Sequence, residues 1–292
     1  MVSFRPPKVI QLPTYENPVP IICGDVRNVL RDLPSNQFQA VITSPPYWGV
    51  RDYGFEAQIG SEANLDDYIY ALVDVFREVR RTLRQDGTLW LNIANTYSSG
   101  NRSWRAPDEK NRGRAMSYRP PTPPGLKPKD LVGVAWKVAM ALQEDGWYLR
   151  NDIIWHKPNC QPESVKDRFT VAHEYIFMLS KSERYSFYQL EVAEERKDLN
   201  GQKNRRTVWP INTEPYPEAH FAVFPRKLVE LCSLAATMPG DMILDPFFGS
   251  GTVGLVARSM ERFCLGIELN PEYIELAKRR LESAQLKLVE VP

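Results

Sequence analysis

Only 24 residues follow Glu268, and that short remainder constrains the fold more than any other feature of the chain. The run Gly249-Ser250-Gly251-Thr252-Val253-Gly254 has the G-x-G-x-x-G spacing of a turn between a strand and a helix. Met242-Ile243-Leu244 before it reads as a buried strand, and Glu268 follows Gly249 by about the 20 residues expected of an acidic ribose partner in a dinucleotide site. A nicotinamide or flavin dehydrogenase would complete its nucleotide-binding half downstream. Here the remaining chain has room for one helix, so the other strands of the sheet must come from the N-terminal part.

That part carries the expected elements. Pro20-Ile21-Ile22-Cys23 reads as a short strand, Gly24-Asp25 as its end, residues 26–33 as a helix stopped by Pro34, and residues 39–43 as a second strand. The near-continuous apolar face of the latter suits a strand covered on both sides. Leu65, Tyr68, Ile69, Leu72, Val73, Phe76, Val79 and Leu83 recur at three and four, an amphipathic helix over 65–83 that Gln85-Asp86-Gly87 ends. Strands are predicted at 88–93, 147–155, 175–179 and 263–267, and helices at 131–143, 252–260 and 272–285. Alternating strands and helices imply an α/β fold, a doubly wound and mainly parallel sheet with helices on both faces.

Two stretches break the rhythm. Residues 96–130 hold Pro107, Pro120, Pro121, Pro123, Pro124 and Pro128 with no helical or alternating pattern, and a loop of that length in a compact domain is functional or disordered. Between 101 and 129 lie Arg102, Arg105, Lys110, Arg112, Arg114, Arg119, Lys127 and Lys129 against Asp108 and Glu109, an excess of six positive charges. The whole chain carries a formal charge of +1, so the remainder is net acidic. The second stretch, 187–215, has a highly charged part from Glu191 to Arg206. With 43% apolar residues the 292 positions suffice for a single packed domain.

Cys23, Cys160, Cys232 and Cys264 form no C-x-x-C pair and read as buried reduced thiols. His156, His173 and His220 are equally scattered, so no metal site is expected. An N-terminus without an apolar core segment and the lack of an 18-to-20-residue apolar run argue for a cytoplasmic protein that does not enter a membrane.

Ser44-Pro45-Pro46-Tyr47 closes the apolar strand Ala40-Val41-Ile42-Thr43, and Asp245-Pro246-Phe247-Phe248-Gly249-Ser250-Gly251-Thr252 closes the late one. Both motifs thus sit at strand ends, where open α/β sheets bind ligands. In this order the two resemble the catalytic and cofactor loops of the amino-group DNA methyltransferases, in the permuted arrangement of that family's β group. The resemblance implies a Rossmann-like, circularly permuted fold that binds S-adenosyl-L-methionine. It implies that Asp245, Pro246, Phe247, Gly249, Gly251 and Thr252 lie under the methionine part, with glycines letting the backbone approach closely. Glu268, with Leu269 beside it, would accept from the two ribose hydroxyls, and Asp25 would reach the adenine amino group unless it serves only as a helix N-cap. Thr43 would lie beside the cofactor, and the stretch 220–225, with His220, Phe224 and Pro225, would help hold the methionine carboxylate.

The same resemblance assigns the catalytic loop to Ser44, Pro45, Pro46 and Tyr47. An exocyclic amine on cytosine or adenine is a poor nucleophile because its lone pair is delocalised into the ring. Acceptors aimed at the amine protons, the Ser44 side chain and the Pro45 carbonyl, would localise that pair, and the prolines would set the geometry in advance. Tyr47 would stack on a base flipped out of the duplex. Trp48, Arg51 and Tyr53 are candidates for the base pocket or the displaced strand, and Arg102, Trp104, Arg105, Arg112, Arg114 and Arg119 for reading or holding DNA.

C5-cytosine methylation needs a thiolate, typically in a Pro-Cys pair, and no cysteine here follows a proline. Within the family Ser-Pro-Pro-Tyr is usual for N4-cytosine enzymes and Asp- or Asn-Pro-Pro-Tyr for N6-adenine enzymes. The expectation is therefore an N4-cytosine methyltransferase of a bacterial or archaeal restriction-modification system. It would act as a monomer or weak dimer on double-stranded DNA beside a cognate endonuclease. An N6-adenine enzyme and a non-catalytic nucleic-acid-binding protein on the same fold are the alternatives.

Overall fold

The computed structural model describes residues 10–55, 58–99, 104, 118–195, 201–214 and 224–289. Its organising feature is one eight-stranded sheet. In chain order the strands are β1 (Ile21–Cys23), β2 (Phe38–Thr43), β3 (Leu83–Ile93), β4 (Tyr148–His156), β5 (His173–Ser180), β6 (Glu194–Glu195), β7 (Gln202–Lys203), β8 (Val208–Pro210), β9 (Met242–Asp245) and β10 (Phe263–Glu268). The two-residue strands β6 and β7 pair with each other, and the rest run β1-β10-β9-β2-β3-β5-β4-β8 across the main sheet. The two C-terminal strands are inserted between the first two N-terminal ones: β10 pairs with β1, and β9 with β2, all parallel. This is the wrap-around expected from the sequence. The sheet is mainly parallel, with β5 the reversed strand, antiparallel to both β3 and β4.

Side-chain alternation along the strands sorts the core into two layers. On one face Val41, Leu89, Leu91, Phe177 and Leu265 meet α1 (Val26–Asp32), α2 (Leu65–Thr82) and α3 (Val134–Glu144). On the other, Ala40, Ile42, Trp90, Ile243 and Cys264 meet α4 (Arg226–Ala236), α5 (Thr252–Ser259) and α6 (Pro271–Val289). Helix α2 turns the expected apolar stripe inward, with Leu65, Tyr68, Leu72, Val73, Phe76 and Val79 all buried.

The differences from the sequence reading have local causes. Strand β3 starts at Leu83, directly after α2, because Leu83 already takes an extended conformation while its N–H closes the last helical bond to the Val79 carbonyl. Helix α3 starts at Val134, not Leu131: Gly133 takes a positive φ of 74°, and the Asn95 side chain accepts from the Ala135 N–H. Helix α4 was not anticipated, although Leu228, Val229, Leu231, Cys232, Ala235 and Ala236 bury one of its faces. Strand β8 extends the sheet edge from the second charged stretch, which also contains a 3-10 turn, Gln189–Val192, and the β6–β7 pair. Of the four free cysteines only Cys232 and Cys264 are buried. Cys160 is half-buried and Cys23 is exposed, because it ends β1 at the outer edge of the sheet. No helix among the described residues is long and apolar enough to cross a membrane.

Candidate active site

The C-terminal ends of β1, β10, β9 and β2 form one edge, and the register places Cys23 opposite Glu268 and Gly266 opposite Asp245. The turns that leave this edge are those at Gly24, Leu269, Pro246 and Ser44. At its centre the Thr43 hydroxyl donates to Asp245 Oδ1 at 2.7 Å, which joins the start of the Ser44 loop to the start of the glycine loop.

Asp245 is buried, and burial pushes its carboxyl up to about 7 against the Thr43 hydroxyl and the Phe247 N–H, which pull it down; Glu268 adds a smaller upward push. Glu268 ends β10. Its Oε2 accepts from the Gly249 N–H and its Oε1 from the Asn270 N–H, both at 2.8 Å, and burial raises its carboxyl against these donors. A buried and a half-buried carboxyl thus end the adjacent strands β9 and β10 at one sheet edge.

The glycine loop is shaped by Phe248. A Cβ on Gly266 would lie 2.5 Å from the Phe248 ring, one on Gly254 2.7 Å from it, and one on Gly251 3.1 Å from it. Those glycines admit the aromatic plug that supports the loop from below. Gly249 and Gly251 have φ of 51° and 78°, the left-handed conformation that glycine adopts without penalty. Thr252 opens α5, and the Arg280 guanidinium binds both its hydroxyl and the Ser250 carbonyl.

Asp25 caps α1, accepting from the Arg27 N–H at 2.8 Å and from the Arg27 guanidinium. Burial opposes its charge, yet the bonds to Arg27 hold its carboxyl below the usual range. Asp25 thus serves as the N-cap of α1. Phe224 and Pro225 lead into α4, and His220 lies outside the described residues.

The Ser44 loop is held from three sides. The Tyr68 hydroxyl donates to the Pro46 carbonyl at 2.9 Å, Gly49 N–H donates to the Gly60 carbonyl, and Gly60 leaves only 3.2 Å between a would-be Cβ and the Tyr47 carbonyl. Among the described residues nothing donates to the Pro45 carbonyl. Tyr47 OH donates to Glu174 Oε2 at 2.8 Å and lies 3.2 Å from both Ser44 Oγ and Asn92 Oδ1. Burial, with Glu174 next, raises the Tyr47 phenol well above its usual value. Asn92 donates to Glu174 Oε2 and to the Tyr175 carbonyl, each at 3.0 Å, and the Lys157 ammonium binds Glu174 Oε1 while lying 4.4 Å over the Trp155 ring. The sequence reading passed over Asn92, Lys157, Glu174 and Tyr68. Only the three-residue spacing of the loop is local, and these partners come from β3, β5, α2 and the residue that follows β4.

The expected DNA contacts separate. Trp48 is buried and its indole N–H donates to the Glu62 carbonyl, so it packs the loop onto the core and offers no face to a duplex. Tyr53 meets Tyr273 edge-on at 6.4 Å, and the Glu268 carboxylate acts on both phenols, which puts Tyr53 on the Glu268 side of the crevice; Arg51 acts on the same pair. Trp104 is exposed. Arg119 is half-buried, and Arg102, Arg105, Arg112 and Arg114 lie outside the described residues. The ends of the basic stretch are clamped together: Tyr97 bridges Leu131, the Val132 N–H donates to the Thr96 carbonyl, and the Ser98 N–H to the Asp130 carbonyl.

Residues 38–279 match the family model described as DNA methylase, which covers N6- and N4-methyltransferases. The chain is 63% identical over 262 residues to the Type II methyltransferase M.SmaI of Serratia marcescens, spanning 89% of this chain and 90% of that protein. It is 56% identical over 268 residues to the Type II methyltransferase M.Cfr9I of Citrobacter freundii, spanning 92% and 89%. Its fold is similar to that of the PvuII DNA methyltransferase, cytosine-N4-specific, with a TM-score of 0.68 at 20% identity over 91% of this chain and 90% of that one. It is also similar to a putative DNA modification methylase of Thermus thermophilus complexed with S-adenosyl-L-methionine, with a TM-score of 0.64 at 24% identity over 91% and 93%.

Proposed function

Because this chain belongs to the DNA methylase family of N6- and N4-methyltransferases, we propose that it is a Type II modification enzyme. It transfers a methyl group from S-adenosyl-L-methionine to the exocyclic N4 amine of a cytosine flipped out of duplex DNA. The observation that carries the proposal is the Thr43–Asp245 hydrogen bond, which sets the Ser44 loop and the glycine loop side by side on one sheet edge. Support for the Type II assignment comes from the relatives at 63% and 56% identity.

The residues present fit the methyl donor. Glu268 Oε1 and Oε2 accept from the Asn270 and Gly249 N–H groups, and a carboxylate held in this way is the acceptor needed for a ribose diol. Glu268, joined by Asp245 once that carboxyl ionises, would give the site the negative charge that suits a ligand carrying an ammonium and a sulfonium. Gly249, Gly251 and Thr252, with Pro246 and Phe247, would lie on the methionine side, Leu269 and the Gly24-Asp25 turn on the adenosine side, and Phe224-Pro225 would help hold the methionine carboxylate. S-adenosyl-L-methionine supplies, when bound, an electrophilic methyl on sulfur.

The protein's part is orientation. Ser44 Oγ and the Pro45 carbonyl would accept from the two amine hydrogens and hold the nitrogen lone pair toward the methyl. With the donor bound, transfer would be direct, the bonding pair staying with the donor's sulfur, and the proton lost by the methylated amine would pass to solvent. No strong base is required, because the nitrogen turns acidic only on methylation. Tyr47 presents a half-buried ring whose hydroxyl end is fixed, a rigid face for the extruded base. The serine at position 44 supports cytosine as the target, since Ser-Pro-Pro-Tyr is the usual form in N4-cytosine enzymes.

Duplex DNA incubated with donor labelled in its methyl group, then digested to nucleosides, tests the proposal. Label is expected in N4-methyldeoxycytidine. Label in N6-methyldeoxyadenosine would replace the target base, and no transfer to any duplex would remove the activity.

A further inference from the structure

Tyr47, Asn92, Lys157 and Glu174 form a polar cluster behind the Ser44 loop, and the direction of each hydrogen bond in it can be read. Lys157 donates to Glu174 Oε1, with both side chains largely buried. Asn92 spends its two N–H groups on Glu174 Oε2 and the Tyr175 carbonyl, at 3.0 Å each, which leaves Oδ1 as its end toward Tyr47. Every neighbour of the carboxylate therefore donates to it, and an ionised carboxylate only accepts.

Tyr47 OH has one hydrogen. It lies 2.8 Å from Glu174 Oε2 and 3.2 Å from Asn92 Oδ1, and the shorter, charge-assisted bond takes the hydrogen. The phenol oxygen is then an acceptor toward Ser44 Oγ at 3.2 Å, so the Ser44 hydroxyl hydrogen points to Tyr47 and away from the substrate. Both serine lone pairs are left for the cleft.

We infer that Glu174 is a positioning residue: held by Lys157, it fixes through Tyr47 the rotation of the Ser44 hydroxyl so that an oxygen lone pair, not a hydrogen, meets the target amine. The inference rests on the assignment of Ser44 as an acceptor for that amine. A serine hydroxyl on its own rotates freely and can present its hydrogen to the amine, which would leave the nitrogen lone pair engaged. The cluster removes that orientation before the base arrives.

The decisive variant is Glu174→Gln. The Lys157 ammonium would hold the amide oxygen, which turns the amide NH2 toward Tyr47 and reverses the chain of donors. The kcat for methyl transfer should fall on the order of 100-fold, the loss caused by a misplaced reacting group, while the KM for donor and for DNA stay within about threefold of wild type. Tyr47→Phe, which keeps the Lys157–Glu174 pair, should also lower kcat. In the Tyr47→Phe background Glu174→Gln should lower it no further, because the coupling runs through the phenol. Equal losses from Glu174→Gln in both backgrounds, or losses seen in KM and thermal stability alone, would overturn the inference. Should Glu174→Gln not fold, Asn92→Asp supplies the second test: it replaces a donor to Glu174 with a repelling carboxylate and should lower kcat in the Tyr47 enzyme and not in Tyr47→Phe. A wild-type enzyme that methylates DNA, with Ser44→Ala impaired and Glu174→Gln and Asn92→Asp at full rate, would sink this inference alone. An inactive wild type would sink the proposed function.

Discussion

Thr43 and Asp245, 202 positions apart in the chain, meet through a 2.7 Å hydrogen bond at the ends of two adjacent parallel strands. The bond ties the loop that would hold the target base to the loop that would hold the methyl donor, and it does so beside a carboxyl that burial keeps close to neutrality at about 7.

That carboxyl makes donor binding depend on pH. A cationic ligand beside Asp245 favours its ionised form, so affinity for S-adenosyl-L-methionine should rise between pH 6 and 8 and level off above. The free protein should respond in the opposite sense. A carboxyl whose folded value exceeds its unfolded value holds the proton more tightly when folded, so stability is greatest below the unfolded value of 3.8 and is lost as pH rises toward about 7. The loss is on the order of 4 kcal/mol. Calorimetric titration of the donor across this range, and thermal unfolding without it, check the two slopes. Asp245→Asn should flatten both, and its Tm should exceed that of wild type at pH 8 and approach it at pH 5.

Phe248 links packing to the cofactor loop. Gly266→Ala would press a methyl to 2.5 Å from the ring, and overpacking of this kind costs about 1–3 kcal/mol. Phe248 is buried and belongs to the glycine loop itself, so the variant should lose donor affinity together with stability. Phe248→Leu should recover part of both losses in the Gly266→Ala background, to be read by Tm and by donor Kd. Strict additivity of the two substitutions would show that the ring and the glycine do not share one space.

The basic stretch between the clamped ends at Tyr97 and Leu131 carries the electrostatic part of DNA binding in this account. Neutralising Arg112 or Arg114 should weaken binding to specific and unrelated duplexes alike and reduce the slope of log K against log salt by about 1 for each phosphate left without its cation. Trp104→Ala should weaken DNA binding without lowering Tm, since its ring is 61% exposed. Binding isotherms at several salt concentrations measure both.

Much of this architecture was legible in the sequence because strand–turn–helix units carry local signals. The glycine loop, the apolar strand before Ser44 and the stripe of α2 all lie where residue pattern places them, and the order of the two motifs along the chain matches the wrap-around. What stayed hidden is assembled from distant segments. Trp48 follows the Ser44 loop at once and still turns into the core, because Glu62 offers its indole a carbonyl 14 residues later. Tyr53 shares an environment with Tyr273 and Glu268, a neighbourhood that exists only once β10 lies beside β1. Glu174 carries no motif around it that marks a partner for Tyr47, 127 residues away. Helix α4 lacked a recognised start signal, as Pro225 caps it without a side-chain hydrogen bond.

The most direct test of a shared crevice is Ser44→Ala, measured for donor binding and for single-turnover methyl transfer on the same preparation. Unchanged donor Kd with transfer slowed by on the order of 100-fold or more is the result this account predicts, because the serine touches the base amine and not the donor. Loss of donor affinity in step with the rate, or a rate equal to wild type, would contradict it.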